Sequence, residues 1–318
     1  MQEKKLRVLF VISGETAGGS PITRNQGASL SDNGVSVEYY LVEDRGIGGY
    51  LRNVRPLRRQ IKTNKYDVVH AHYAFCGYLA SLATFGLSVP VVTSIMGSDI
   101  KAHRIYPFIV RLFARLTPWN AVIVKSKEMK QRLGLRQAIV IPNGVNMNRF
   151  VDLDKSSCQE RLGWDGKKLH VLFPAKPYEK RKNWSLAEDA VNRLNSFGKY
   201  KIELHGMVGV PNEDTPIWYN AADAVVLPSF YEGSANAVKE TMACERPIVT
   251  TDMGDCRERM EGVDGCYVAK TYDVDEFVEL LKMAIEFEGR TKGRERLLKD
   301  GIADYQIAER LINIYEQV

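Results

Sequence analysis

Two glutamates, Glu232 and Glu240, lie eight positions apart in the stretch YEGSANAVKE. A Gly-Ser turn and an alanine-rich run that predicts the start of a helix separate them. Eight helical residues would advance about 12 Å and rotate the chain by roughly 80°, so the carboxylates would share a side without touching. The acid/base pairs of glycosidases stand closer, at about 5 to 9.5 Å. The spacing therefore favours contacts with the two ends of one elongated ligand.

Two lysines, Lys176 and Lys182, lie six positions apart in the loop of VLFPAKPYEKRKN, after a short apolar run and before a predicted helix. Ammonium groups that converge near a helix N-terminus would bind a diphosphate through charge-assisted hydrogen bonds. A solvated surface loop is the alternative. Gly18 and Gly19 precede Ser20 in a similar position, where backbone comes close to an anionic ligand or simply makes a tight turn.

Polar residues also end strand-like runs in the first half of the chain. His70 and His72, in YDVVHAHYAF, are two apart and would share one face of a strand. A metal pair, contact with a substrate, and a purely structural role are all open, and no third metal ligand is evident. Asp99, in MGSD, either accepts a hydrogen bond from a substrate hydroxyl or caps the next helix.

The elements that must position these residues follow one pattern. Short β-branched runs alternate with longer amphipathic segments, which predicts parallel sheets covered by helices on both faces. The predicted strands are 6–12, 35–42, 66–71, 89–95, 121–124 and 138–141, then 169–173, 201–204, 224–227, 248–250 and 266–268. In such sheets ligands bind at the carboxyl ends of the strands, where the residues named above lie.

The two series of strands predict two doubly wound α/β lobes. We assign residues 1–160 to an N-terminal domain and 161–303 to a C-terminal domain, with the segment after Pro142 as a linker. The last helix, 304–318, is long enough to cross back to the first domain.

Charge divides the chain in the same way. Residues 1–160 hold 22 Lys and Arg against 12 Asp and Glu, a net +10, whereas residues 161–318 hold 22 against 27, a net −5. A basic first half suggests an anionic partner, and HRIYPFIVRLFARL (103–116) mixes apolar and basic residues as an interfacial helix would; a buried helix with a basic outer stripe is the alternative. No recognition module for nucleic acid is present.

The cysteine pattern and the lack of a signal sequence indicate where the protein works. Five cysteines without a C-x-x-C pair predict neither a zinc site nor a disulfide framework. Neither a secretory signal nor a convincing membrane span is evident, because the uncharged stretch 73–98 is broken by glycines and a proline. The sequence thus predicts a cytoplasmic protein, with peripheral attachment to the inner membrane face as a further expectation.

IPNGVNMNRF, AKPYEKRKN and PSFYEGSANAVKETMACERPIVTTDMGD together resemble the retaining, bacterial-type family 4 glycosyltransferases of GT-B fold, over nearly the whole chain. The resemblance implies two Rossmann-like lobes facing a cleft. It also implies a nucleotide-sugar donor on the C-terminal lobe, a UDP-sugar being expected, and an acceptor on the N-terminal lobe. A glycan or lipid-linked acceptor and a role in cell-surface polysaccharide synthesis are the corresponding expectations.

The same resemblance implies a role for each site residue. Lys176 and Lys182 would contact the diphosphate, Glu240 the ribose hydroxyls and Glu232 the donor sugar. Backbone N–H groups of 233–235, which are Gly233, Ser234 and Ala235, would face sugar or phosphate, and Gly18 and Gly19 match the loop that closes on the donor. His72 and Asp99 are expected on the acceptor side.

Two departures from the family pattern matter. Met96 stands where many relatives carry a histidine near the donor sugar, so no imidazole can act there; and the chain between LHGMVG and AADAVVLPS is too short for the helix and strand usual in relatives. No Asp-x-Asp pair stands at a strand end, so metal-independent catalysis without a resident cofactor is expected. A nucleotide-sugar epimerase of the same architecture and a non-catalytic sugar-nucleotide-binding protein remain open alternatives.

Overall fold

The computed structural model describes residues 5–14, 20–43, 46–97, 100, 105–117 and 119–318. The chain forms two compact units. Unit 1 comprises Met1–Gly144 with Asp304–Val318, and unit 2 comprises Val145–Ala303.

In its described residues unit 1 contains a parallel sheet with the strand order β2-β1-β3-β4-β5-β6. The strands are β1 (Arg7–Ser13), β2 (Ser36–Val42), β3 (Val68–His72), β4 (Val91–Ser94), β5 (Trp119–Val124) and β6 (Ile139–Val140). The helices are α1 (Pro21–Asp32), α2 (Gly46–Arg52), α3 (Val54–Asn64), α4 (Ala74–Thr84), α5 (Tyr106–Leu116) and α6 (Lys127–Leu133).

Unit 2 has a parallel sheet with the order β11-β10-β9-β7-β8. Its strands are β7 (Leu169–Phe173), β8 (Ile202–Gly206), β9 (Ala224–Leu227), β10 (Ile248–Thr251) and β11 (Cys266–Ala269). Its helices are α7 (Lys155–Leu162), α8 (Trp184–Ser196), α9 (Thr215–Ala221), α10 (Asn236–Ala243), α11 (Cys256–Met260), α12 (Val274–Ile285) and α13 (Gly293–Lys299). The last helix, α14 (Asp304–Gln317), belongs to unit 1.

Alternating side chains explain why the sheets are covered on both faces. In β1, Leu9 and Val11 pack into one buried cluster, while Val8, Phe10 and Ile12 pack into another on the opposite face. The second cluster includes Ile307 and Leu311 of α14, which therefore completes the core of unit 1. The central strands, such as β3, β4, β9 and β10, are buried from both sides, as is usual for parallel strands.

The helix boundaries follow local capping. Ser20 Oγ accepts a hydrogen bond from Thr23 N at the start of α1, and Pro21 occupies the first turn. Gly34, with φ of +87°, lies just past its end.

Each predicted strand lies on an observed strand, and the predicted fold class, two doubly wound Rossmann-like units, is confirmed. Between Gly206 and Ala224, a stretch that is fully described, the chain makes one short 3₁₀ turn and α9 but no strand. None of the helices in the described residues has the length and apolarity needed to span a membrane.

The segment after Pro142 differs from the predicted linker. Unit 2 begins at Val145 and not at residue 161, because Val145, Met147 and Phe150 are buried in its core. Asp154 then caps α7 by accepting a hydrogen bond from Ser157 N at 2.8 Å. The sequence does not predict this packing, because the few apolar residues of the segment lie among polar ones. Only the tertiary structure brings the apolar residues into one core.

Candidate functional site

The strand orders place a topological switch point in each unit. In unit 1 the order reverses between β1 and β3, and in unit 2 between β7 and β9. Ligands of doubly wound sheets bind beside the carboxyl ends of the strands at such points. The loops after β7 and β9 carry Lys176, Lys182 and Glu232, and β3 ends at His72. Sequence candidates thus lie at the switch point of each unit.

Lys182 and Glu232 are in direct contact in unit 2. Glu232 Oε1 accepts hydrogen bonds from Lys182 Nζ at 2.6 Å and from Arg181 Nη1 at 2.7 Å. The lysine and glutamate side chains are 12% and 14% exposed, so their charges are largely withdrawn from water. Arg181 Nη2 also lies 3.4 Å from Glu179 Oε2, so the two cations are shared between two carboxylates. Both cations are charge-assisted donors of the kind that binds an anion. Arg181 could not be identified from the sequence, because KRK does not indicate which of its three cations contacts Glu232.

Lys176 has a different environment from Lys182. Its side chain is exposed, and its Nζ lies 5.8 Å from the centre of the Tyr178 ring. The ring face attracts the ammonium group, but an exposed lysine keeps most of its rotamer freedom. Lys182 is therefore held in place by the protein, whereas Lys176 keeps most of its freedom to move.

The loop from β9 to α10 presents free backbone donors. Within the described part of the chain, the N–H groups of Gly233, Ser234 and Ala235 donate no hydrogen bonds. Ala235 is the N-cap of α10 and provides no side-chain cap. Unsatisfied N–H groups at the start of an eight-residue helix form a site for anionic or hydroxyl oxygens.

Gly254 packs against the backbone of this loop. Its φ is +59°, and a Cβ there would lie 2.8 Å from the carbonyl oxygen of Gly233 and 3.1 Å from that of Glu232. Only glycine adopts this conformation without strain and allows such close backbone approach. Gly254 belongs to the long sequence motif, but the motif alone does not indicate its structural role.

A buried polar network holds the other side of the loop. Ser234 Oγ donates to Asp255 Oδ2 at 2.9 Å and accepts from Lys239 Nζ at 2.9 Å, and Arg259 Nε reaches the same Asp255 oxygen at 3.3 Å. Burial lowers the pKa of Lys239 to about 8. The Ser234 side chain is thus engaged in the network. Its backbone N–H donates no hydrogen bond within the described residues.

Glu240 lies within α10, but Glu232 precedes the helix. The predicted helical advance between the two is therefore wrong, because only Asn236–Ala243 is helical. Glu240 Oε2 accepts a hydrogen bond from the Tyr219 hydroxyl at 2.7 Å. Burial raises the pKa of Glu240, while the Tyr219 hydrogen bond and the nearby charge of Arg149 oppose that rise. Neither Tyr219 nor Arg149 was singled out from the sequence.

Unit 1 places His70 and His72 on one face of β3, as predicted, and buries both completely. Their rings stack with centroids 4.4 Å apart. His70 is structural, because its Nδ1 bonds Tyr315 Oη at 2.5 Å and its Nε2 bonds Ser94 Oγ at 2.9 Å. His72 is unlike it, since neither ring nitrogen bonds to any residue that the structure describes.

Burial is the main cause that holds the pKa of both histidines well below the ordinary value, and the charge of Lys125 adds to it. Lys125 is itself only 1% exposed and lies 3.5 Å from Ser94 Oγ. The end of β3 therefore carries neutral imidazoles beside one buried lysine. Gly18, Gly19 and Asp99 lie outside the described residues, so their expected roles stay predictions.

Comparison with known proteins agrees with this geometry. The model of Glycosyltransferase Family 4 matches residues 8–149, and that of Glycosyl transferases group 1 matches residues 179–286. The HepE protein of Anabaena, solved in complex with UDP and glucose, superposes with a TM-score of 0.77 at 16% identity, covering 98% of this chain and 100% of that one. The fold is GT-B.

Two curated relatives are named as bacterial glycosyltransferases. The putative teichuronic acid biosynthesis glycosyltransferase TuaC of Bacillus subtilis is 27% identical over 240 residues, which cover 66% of this chain and 61% of TuaC. An Escherichia coli UDP-Gal:α-D-GlcNAc-diphosphoundecaprenol α-1,3-galactosyltransferase is 24% identical over 275 residues, covering 73% of this chain and 69% of that enzyme. The chain therefore belongs to the family 4 glycosyltransferases, and it spans about three fifths of the length of TuaC.

Proposed function

We propose that the protein transfers a sugar, with retention, from a nucleotide-diphosphate sugar to a glycan or lipid-linked acceptor in cell-surface polysaccharide synthesis. The observation that carries the proposal is the arrangement around Glu232 in unit 2. There a cation pair and a row of free N–H groups lie at the switch point of a family 4 fold. Such a site suits a sugar diphosphate.

The donor is bound by unit 2. Lys182 and Lys176 contact the diphosphate, the N–H groups of 233–235 contact sugar or phosphate oxygens, and Glu232 contacts the sugar hydroxyls. Glu240 accepts hydrogen bonds from the ribose through Oε1, since its Oε2 is already held by Tyr219. UDP is the expected nucleotide, supported by the UDP bound to HepE and by the donor named for the Escherichia coli relative.

Departure of the nucleoside diphosphate is the step that unit 2 assists. As the bond from the sugar C1 to the phosphate oxygen breaks, negative charge grows on that oxygen, and donors fixed in advance stabilise it. The acceptor oxygen attacks C1 from the same face and its proton passes to the departing phosphate oxygen. Met96 cannot move protons, so the leaving group serves as the base.

The acceptor is bound by unit 1. His72 is neutral at physiological pH, and its two buried nitrogens can donate to and accept from uncharged hydroxyl groups. Asp99 is the second acceptor-side residue in this proposal.

A surface of unit 1 suits a lipid-linked acceptor. Helices α2, α4 and α5 are neighbours through the ring contacts Tyr50–Phe75 and Tyr78–Phe113. They expose a set of large apolar side chains: Ile47, Leu51, Leu82, Phe85, Phe108, Leu112 and Leu116. The exposed side of α5 thus carries large apolar side chains beside Arg115, whereas the sequence left open a basic outer stripe.

Positive charge borders this apolar surface. Residues 46–65 hold six Lys and Arg and no acidic residue, and Arg52, Arg55, Arg59 and Lys62 are exposed. Apolar side chains flanked by basic ones bind the interface of an anionic bilayer. We therefore propose peripheral attachment of unit 1 to the inner membrane face.

Catalysis proceeds without a divalent ion on the diphosphate. Both Asp-x-Asp pairs of the chain are occupied elsewhere: Asp154 and Asp273 cap helices, while Asp152 and Asp275 bind arginines. Lys182 and Arg181 provide the countercharge instead.

The test is donor turnover in EDTA by the wild type and by the double variant Lys176→Ala/Lys182→Ala, with UDP-, GDP- and ADP-sugars. Turnover should survive chelation. Each lysine, as a charged hydrogen-bond donor worth about 1.5 to 3 kcal/mol, should contribute very roughly 10- to 150-fold to kcat/KM, and the double variant should be nearly inactive. Loss of wild-type turnover in EDTA at a temperature well below the melting temperature of the chelated protein, or wild-type kcat/KM in the double variant, would refute the site. A free epimer as product would indicate an epimerase.

A further inference from the structure

A second group of polar side chains lies at the β7–β8 edge of the sheet of unit 2. His170 belongs to β7, and Glu203 and His205 belong to the neighbouring strand β8. The parallel register pairs His170 with Glu203 and Leu172 with His205, so the three side chains share one face. We propose that His170, Glu203 and His205 bind one divalent transition-metal ion, with Zn²⁺ the best match.

The distances fit such an ion. His170 Nδ1 lies 2.9 Å from His205 Nε2, and Glu203 Oε2 lies 3.8 Å from the first nitrogen and 4.0 Å from the second. A point equidistant from these three atoms lies about 2.1 Å from each, which is the length of Zn–N and Zn–O bonds. Two imidazoles and a carboxylate are a ligand set that zinc accepts with a fourth position left open.

The surrounding residues orient the ligands. His170 Nε2 donates its hydrogen to the Asp165 carbonyl oxygen at 3.0 Å, which leaves the lone pair on Nδ1 pointing at the other two ligands. Lys168 Nζ binds Glu203 Oε1 and so turns Oε2 toward the histidines. The Trp164 ring stacks on His205 with centroids 3.8 Å apart, which fixes the second imidazole. Each ligand thus has its own positioning contact.

The site is accessible to an ion from solvent. The side chain of His170 is fully buried, whereas those of His205 and Glu203 are 19% and 39% exposed. The five cysteines are all buried, so in the folded chain they do not compete for metal. Because β8 is the edge strand of its sheet, the ion would tie it to β7 and stabilise unit 2.

The experiment is a titration of untagged, chelator-stripped protein with ZnCl₂ by calorimetry and thermal shift. The wild type should bind one ion and melt at a higher temperature with it. Glu203→Gln and His205→Phe, of which the second keeps the ring stack on Trp164, should bind at least 10-fold more weakly and lose the shift. Glu213→Gln, an exposed acid of the same unit, is the matched control.

Substitution with Co²⁺ gives a readout independent of stability and activity. The strong visible absorption of tetrahedral Co²⁺ should appear in the wild type and in Glu213→Gln but not in the two ligand variants. No binding by the wild type, or equal affinity in the ligand variants, would overturn the proposal. The residues are distinct from Lys176, Lys182, Glu232 and Glu240, so such a result leaves the donor proposal unaffected.

Discussion

The switch points of the two units share an architecture but differ in their electrostatics. In unit 2 Glu232 Oε1 accepts hydrogen bonds from Lys182 and Arg181 at 2.6 to 2.7 Å, and the three side chains are 12% to 39% exposed. In unit 1 His70 and His72 are fully buried and held neutral. The ionisable groups of unit 2 thus lie in ion pairs, whereas burial lowers the pKa of the two imidazoles of unit 1. The first suits an anionic diphosphate and the second an uncharged hydroxyl.

Acid should break this comparison most strongly, because it forces charge onto unit 1. The pKa of each histidine is lower in the folded than in the unfolded chain, so stability is complete above about pH 6.5 and falls as pH drops below it. Between pH 7.5 and 5.0 each histidine should lower the free energy of unfolding by at most about 2 kcal/mol, the limit set by the unfolded pKa of about 6.5. Hydrogen exchange of peptides from β1 and β3 measures the loss.

The variant His72→Leu provides the control for acid lability. His72 has no hydrogen-bond partner among the described residues, so an apolar side chain should leave stability at pH 7.5 nearly unchanged and recover about half of the acid loss. An acid loss as large as that of the wild type would show that His72 is not the titrating group.

The paired charges of unit 2 should separate binding from chemistry. Glu232→Gln weakens the contacts with Lys182 and Arg181 and should lower kcat by about 10- to 150-fold, the value of one hydrogen bond to a charged group. Glu240→Gln should chiefly raise the donor KM, because ribose contacts are equal in ground and transition states. Steady-state kinetics with varied donor distinguishes them, and the reverse assignment would exchange the roles of the two glutamates.

The conformation of the loop from β9 to α10 should depend on Gly254 more than on other glycines of positive φ. In Gly254→Ala, left-handed strain and contact with the carbonyl groups of Glu232 and Gly233 should together cost about 1 to 3 kcal/mol and weaken donor binding. Gly262→Ala is the control, since its φ of +73° is similar but open space surrounds its Cβ. Thermal shift with and without UDP measures both effects, and equal donor affinity in the two variants would contradict the role given to Gly254.

The smallest effect is expected at the basic border of unit 1. Arg55→Gln and Arg59→Gln should each weaken binding to anionic vesicles about 5-fold, which is about 1 kcal/mol per charge near the surface. Lys292→Gln in unit 2 should leave binding unchanged. Co-sedimentation with anionic and neutral vesicles at low salt makes the measurement, and equal partitioning of the wild type onto both would exclude the membrane proposal.

The sequence by itself determined the order and type of the strands and the family of the fold. Alternating apolar side chains and capping residues act locally, so β7 and β9 could be predicted to their end residues and α14 to its full length. The motif AKPYEKRKN also made Lys182 a candidate, and the long motif made Glu232 and Glu240 candidates, because each is a charged residue that follows a predicted strand.

The tertiary structure alone decided the partners. Arg181 joins Lys182 on Glu232 and Tyr219 holds Glu240 across 21 positions, while His170 meets His205 across 35. The place where unit 2 begins was settled in the same way, by the burial of Val145, Met147 and Phe150. Local patterns record propensity, whereas contacts between distant residues and the burial that shifts a pKa exist only after the sheets have formed.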